Sequence, residues 1–163
     1  MTNLHYDTIV VGAGQAGLAA GYYLARSGLR FAILDSNHEI GAAWERRWET
    51  LRLFTPARYN ALPGLKFPGA PYALPDKSDV AAYLRRYART FSLPVQHGVA
   101  VTALHRNGDG FVATTSRIQA WSCTRRRAHS LRRTDAAHAR RHRPCLRVRR
   151  KRTGSSRMGA RVP

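Results

Sequence analysis

The sequence predicts an α/β domain built on a parallel sheet, and three observations predict it. A short β-branched run, Tyr6 to Val11, ends at a glycine cluster, Gly12-Ala13-Gly14-Gln15-Ala16-Gly17. A stretch rich in Ala and Leu follows directly. A second apolar run, Arg30 to Asp35, then closes on a carboxylate. Strand, glycine turn, helix, strand is the order of a βαβ unit, whose crossover helix makes the two strands run parallel.

Each element has its own grounds. Tyr6 to Val11 is apolar without alternation, as a strand buried on both faces requires. Gln15 to Ser27 reads as a helix with Leu18 and Leu24 on its apolar face and Gly28 as its stop. Residues 36–76 read as irregular, because Pro56, Pro63, Pro68, Pro71 and Pro75 break any long element. Only Ala43 to Trp48 suggests a short helical piece. Ser78 is placed to cap a helix over Asp79 to Phe91. Val80, Tyr83, Leu84, Tyr87, Ala88 and Phe91 form one stripe on it, with Arg85, Arg86 and Arg89 facing water. After Pro94, Val95 to Leu104 reads as a strand, Asn107-Gly108-Asp109-Gly110 as a hairpin turn and Phe111 to Thr115 as the returning partner.

Beyond Ser116 neither a period of two nor one of 3.6 is present, and Trp121 is the only aromatic. Such a stretch buries too little apolar area to offset its ordering entropy. The expected division is therefore a domain over residues 1–116 and a disordered Arg-rich tail over 117–163.

Charge follows the same division. The 163 residues carry a formal net charge of +19. Residues 117–163 hold 16 basic residues against one acid, Asp135, whereas residues 1–116 hold 12 against 8. The front half has the balance of an ordinary soluble domain, and the tail is expected to attract polyanions non-specifically. The two cysteines, Cys123 and Cys145, suggest no disulfide framework. Together with His129, His138 and His142 they match no standard zinc spacing, so no metal is expected. The N-terminus lacks a signal-peptide layout and no apolar run is long enough to span a bilayer, so a cytoplasmic protein without a membrane partner is expected.

The glycine cluster carries the chemistry. Gly12 permits a tight turn out of the strand, Gly14 lets a pyrophosphate approach the backbone, and Gly17, with Gly21 one turn on, lets the helix lie close to the sheet. A pyrophosphate would then meet the free N–H groups of Gln15, Ala16 and Gly17 and the positive end of the helix dipole. Asp35, 23 residues after Gly12, is placed to accept from a ribose diol and would repel a 2′-phosphate. The motif leaves FAD and NAD both open.

The chain from about residue 4 to 116 resembles the class B flavin-dependent monooxygenases, a family that includes flavin-containing monooxygenases, YUCCA-type enzymes and CzcO-like oxidoreductases. The segments that carry the resemblance are Tyr6 to Gly12, Gly41-Ala42-Ala43-Trp44, Leu51 to Pro56, Leu62-Pro63-Gly64, Lys66-Phe67-Pro68 and Tyr72 to Phe91. The resemblance implies a Rossmann-like three-layer FAD/NAD(P)-binding domain. It also implies that Gly12, Gly14 and Gly17 hold the FAD pyrophosphate and that Asp35 holds its ribose. Trp44 and Leu51 would lie along the flavin, and Val101 would meet the adenine through its backbone. NADPH would reduce the flavin, which would oxygenate a small substrate through a C4a-peroxide, the cofactor supplying the chemistry. Arg46, Arg47 and Arg52 are expected to be solvated.

Three family features are absent from the sequence. There is no strand ending in Ala-Thr-Gly after the hairpin, no second glycine fingerprint to hold NADPH, and no Phe-x-Gly-x-x-x-His signature. No catalytic residue is named, and the domain is expected to be incomplete and inactive alone. The abrupt change at residues 116–118 is the pattern of an out-of-frame read of a GC-rich gene. The alternative is a nucleotide-binding module with a genuine polybasic arm for nucleic acid.

Overall fold

The computed structural model describes residues 3–116 and 120–124. The chain divides into two units between Arg127 and Ala128, and the described residues all belong to the first. The remaining tail residues, among them His129, His138, His142 and Cys145, lie outside the described residues.

Among the described residues there are seven strands and three α-helices. In chain order they are β1 (Asn3–Tyr6), β2 (Thr8–Val11), α1 (Gln15–Arg26), β3 (Phe31–Leu34), α2 (Ala42–Glu45), α3 (Lys77–Thr90), β4 (Val95–Gln96), β5 (Val101–Asn107), β6 (Gly110–Thr115) and β7 (Ala120–Thr124). A single 3₁₀ turn, Ala57–Tyr59, lies between α2 and α3. β2, β3 and β4 form a parallel sheet in that order, and β1, β7, β6 and β5 form a second, mixed sheet.

The period of two along β3 explains the layering. Phe31 and Ile33 point into a cluster with Leu18 of α1 and Val80, Tyr83, Leu84 and Tyr87 of α3. Ala32 and Leu34 point the other way, into a cluster with Val99, Ala113 and Trp121. All four β3 residues are buried, as expected for a strand covered on both faces. Helices, parallel sheet and mixed sheet are thus three layers, and the predicted α/β three-layer class holds.

Four details differ from the sequence-based expectation. The run Tyr6 to Val11 is two strands rather than one. At Asp7 the chain changes sheets, with the N–H groups of Asp7 and Thr8 both donating to the Arg30 carbonyl (2.8 and 3.4 Å). Val95 to Leu104 is likewise split, because Gly98 adopts a φ of 66° that a side chain would disfavour. There the chain leaves β3 and joins β6. The cap of α3 is Asp76 rather than Ser78. The Asp76 carboxylate accepts from Asp79 N–H (2.9 Å) while the Asp79 carboxylate accepts from Asp76 N–H (3.1 Å), a reciprocal cap. Arg85 is half-buried rather than water-facing and donates to Glu45 Oε1 at 3.3 Å.

The largest difference is at the C-terminal side. The expected boundary at Ser116 falls short of β7, which sits between β1 and β6. Trp121 is 3% exposed and stacks on Tyr6 with ring centroids 5.4 Å apart. The five residues of β7 thus belong to the mixed sheet, although the sequence reading assigned them to the tail.

The tyrosines of α3 make stability pH-dependent. Burial first, and then the neighbouring phenols of Tyr83, Tyr22 and Tyr23, push Tyr87 up to about 12. Burial raises Tyr83 as well, partly offset by the Leu62 N–H that donates to its hydroxyl. The folded state thus prefers the neutral phenol. Stability is intact below the unfolded value of 10.0 and is lost as pH rises from there through the folded value. Alkaline unfolding followed by circular dichroism is expected to begin above that lower limit, and Tyr87→Phe is expected to move its onset upward.

Candidate functional site

The glycine cluster sits where the parallel strands end. β2 runs into Gly12, whose φ of 95° turns the chain sharply, and Gly12 N–H donates to the Leu34 carbonyl of β3 at 2.7 Å. Gly14 is the N-cap of α1 and offers no side-chain cap. The leading N–H groups of a helix have no intrahelical acceptor, and the first turn of α1 contains no acid. The positive end of the helix is therefore left open for an external acceptor.

The two sides of the loop differ in available space. A Cβ built on Gly17 would lie 1.9 Å from the Gly12 carbonyl oxygen, so the helix lies against the loop as closely as a hydrogen atom allows. A Cβ built on Gly12 or Gly14 meets nothing within 4 Å. The inner side of the loop is tight and the outer side is open. Gly21 continues the close packing one turn on, against Ile33 and Leu93.

Asp35 is 8% exposed and lies directly behind the loop. Its Oδ2 accepts from Ala13 N–H at 2.5 Å, and its Oδ1 accepts from the backbone N–H (2.7 Å) and side-chain amide (2.8 Å) of Asn37. Its own backbone is bracketed by Gln96 and Val99. The carboxylate thus ties the glycine loop to the ends of β3 and β4, an effect not foreseen from the sequence. Asn37 was also missed, although an Asx residue just after a strand-end acid is a signal for such local turns. Arg46 donates to Asn37 Oδ1 at 2.6 Å and, like Arg47 and Arg52, is exposed.

Asp35→Ala would leave the buried N–H of Ala13 and the half-buried N–H of Asn37 without acceptors. An orphaned buried donor costs about 1–3 kcal/mol and the half-buried one, which water can reach, less, so a loss of roughly 2–4 kcal/mol is expected in urea denaturation, before any ligand is added.

The remaining candidate residues are more dispersed. Trp44 lies in α2, half-buried against the α1–α3 cluster. Leu51 is half-buried in the following turn, its N–H donating to the Trp48 carbonyl at 3.2 Å. Val101 opens β5, pairs with Thr115 and packs on the mixed-sheet cluster. Among the described residues, no hydrogen bond joins any of the three to the glycine loop. Nor is there, among the described residues, a cluster of His, Cys, Asp or Glu able to hold a metal, or a helix long and apolar enough to cross a membrane.

Comparison with known proteins places this arrangement in a family. Residues 9–123 match the family model described as pyridine nucleotide-disulphide oxidoreductase, so the match, like the fold, runs through β7. An uncharacterized oxidoreductase CzcO of Bacillus velezensis is 44% identical over 112 residues, covering 69% of this chain and 32% of that protein. An indole-3-pyruvate monooxygenase YUCCA1 of Oryza sativa is 33% identical over 94 residues, covering 57% of this chain and 23% of that protein. The solved flavin-containing monooxygenase of Stenotrophomonas maltophilia superposes with a TM-score of 0.70 at 35% identity, covering 74% of this chain and 36% of that one. The chain spans about a third of the length of the CzcO-type relatives. The glycine loop, the strand-end carboxylate and these matches together establish that the chain belongs to the pyridine nucleotide-disulphide oxidoreductase family and, within it, to the N-terminal part of the class B flavin monooxygenases.

Proposed function

We propose that residues 3–124 are an FAD-binding unit of a flavin-dependent monooxygenase. The observation that carries this is the asymmetry of the glycine loop, sealed at Gly17 and open at Gly12 and Gly14. That is the shape a diphosphate needs, with backbone N–H groups converging on it and no side chain in its path. Gly12, Gly14, Gln15, Ala16 and Gly17 would hold the diphosphate. Asp35 Oδ2 takes a single hydrogen bond and so has acceptor capacity left, and through it the carboxylate would accept from the ribose diol while keeping the loop in register. Trp44 and Leu51 would flank the flavin, and the backbone of Val101 the adenine.

The flavin supplies the redox chemistry when bound: accepting electrons from NADPH and oxygenating a small substrate. The residues of this chain bind and orient the cofactor, and no catalytic role is assigned to any of them. Only one glycine fingerprint is present in the sequence, so the chain is proposed to hold flavin without oxidising NADPH. The test is reconstitution with FAD and, separately, with FMN, which lacks the adenosine half. Retention of FAD and not of FMN after desalting, with NADPH stable in its presence, is the expected result. Equal retention of both, or of neither by a folded chain, would overturn the assignment.

A second proposal concerns the charge of residues 117–163, 16 basic residues against one acid. It is that this segment associates with polyanions through phosphate neutralisation. Duplex DNA binding that falls steeply with added salt is expected, and salt-independent binding would count against it.

A further inference from the structure

We propose that the loop from Pro56 to Pro71 carries a binding site for a small organic anion with an apolar body, most simply a carboxylate. The proposal rests on the geometry of this loop and is independent of flavin binding. Apart from the turn Ala57–Tyr59, these residues form no regular helix, yet they are held from several sides. The Tyr83 hydroxyl donates to the Leu65 carbonyl (2.7 Å) and accepts from Leu62 N–H (2.7 Å). The Tyr87 hydroxyl donates to the Pro63 carbonyl at 2.6 Å. Ala57 N–H donates to Ala73 (2.8 Å) and Arg58 N–H to Pro71 (3.1 Å). Two buried tyrosines of α3 thus fix a long irregular loop, and long loops kept in one shape are usually functional.

The fixed loop borders an open-sided cavity of about 350 Å³, within the range of small-molecule sites. Ala57, Phe67 and Pro71 give it apolar walls, Arg58 and Lys66 give it charge, and none of its lining residues is acidic. Phe67 is held by Tyr83, with ring centroids 4.6 Å apart. Arg58 is unusually constrained for an exposed arginine. Its guanidinium lies over Tyr59 (4.5 Å) and Tyr72 (4.9 Å). It donates to both phenolic hydroxyls, at 2.8 Å to that of Tyr72.

Only two of its five N–H groups are used in this way. Arg58 lines the cavity with its guanidinium already fixed by the two tyrosines, so little side-chain entropy is lost when an anion binds. Neither Arg58 nor Lys66 is ion-paired among the described residues. Two uncompensated cations beside an apolar, aromatic-walled space favour a carboxylate on a ring or short chain over a neutral or cationic ligand.

The test is a ¹⁵N amide shift titration of the full chain with phenylacetate, with neutral phenylacetamide as isostere, at constant ionic strength. Site-resolved shifts are needed because the basic tail also attracts anions. Saturable shifts at Ala57, Arg58, Lys66 and Phe67 are expected with phenylacetate, and at least about tenfold weaker binding with the amide. Lys66→Gln and Arg58→Gln should each weaken phenylacetate by about tenfold, whereas Lys66→Arg and the remote Arg106→Gln should not. Lys66 is exposed and outside the hydrogen bonds that pin the loop, so its variants keep the fold. Shifts confined to residues 125–163, equal binding of acid and amide, or indifference to both Gln substitutions would overturn the proposal.

Discussion

Gly17→Ala is expected to unfold the domain, whereas Gly14→Ala is expected to leave it folded and empty of flavin. The added methyl at position 17 would lie 1.9 Å from the Gly12 carbonyl oxygen. That oxygen has nowhere to go, because Gly12 N–H is tied to the Leu34 carbonyl and Ala13 N–H to Asp35. Overpacking against side chains costs about 1–3 kcal/mol. Here the neighbour is pinned backbone, so a cost at or above that upper limit is expected. In a single domain of this size that removes much of the folded state. Position 14 is the contrast, with φ −78° and open space around its Cβ, so alanine fits without strain. What it would fill is the place proposed for the diphosphate. A fall of about a hundredfold or more in FAD affinity is expected, since a methyl there lengthens every N–H contact to the ligand. Urea denaturation and flavin titration of the two variants separate the effects. A folded Gly17→Ala protein would contradict the geometry, and a Gly14→Ala protein that binds FAD normally would contradict the proposed site.

The second large effect is expected at Trp121. Truncating a buried aromatic to alanine costs about 3–5 kcal/mol, and Trp121→Ala should destabilise the domain on that scale. It would remove the ring that stacks on Tyr6 and fills the cluster with Ala32, Leu34, Val99 and Ala113. Trp121→Phe should cost much less. It keeps the stacking, and it removes an indole N–H that is buried without a hydrogen-bond partner among the described residues, itself a destabilising feature. Denaturation midpoints of the two variants decide the matter. An unchanged midpoint for Trp121→Ala would mean that the domain ends at Ser116 after all.

Why β7 was not legible in the sequence is a physical question. Ala120-Trp121-Ser122-Cys123-Thr124 is five residues with one large apolar side chain, directly followed by Arg125-Arg126-Arg127. A strand recognised by pattern needs several alternations, and this one shows a single anchor before the charge begins. Its pairing is long-range: Leu4 lies opposite Trp121 and Tyr6 opposite Cys123, partners more than a hundred residues away in the chain.

The boundaries of other elements were misread for related reasons. Ser78 and Asp76 are both good capping residues, and only the reciprocal bonds between Asp76 and Asp79 select one. Asp7 and Gly98 interrupt apolar runs by single residues, which a windowed pattern smooths over. The strands they divide then belong to different sheets, a choice made by partners and not by propensity.

The sequence by itself determined the βαβ unit, its glycine loop, the acid at the end of β3 and the apolar stripe of α3. Those features are local, written in spacings of a few residues that obey the periods of strand and helix. Only the tertiary structure decided that Asp35 braces the loop it was expected merely to face, that the mixed sheet recruits Trp121, and that the proline-rich loop is fixed by two tyrosines around a cationic cavity. In each of these the partners lie far apart along the chain, and the contact exists only once folding has offset the entropy of bringing them together.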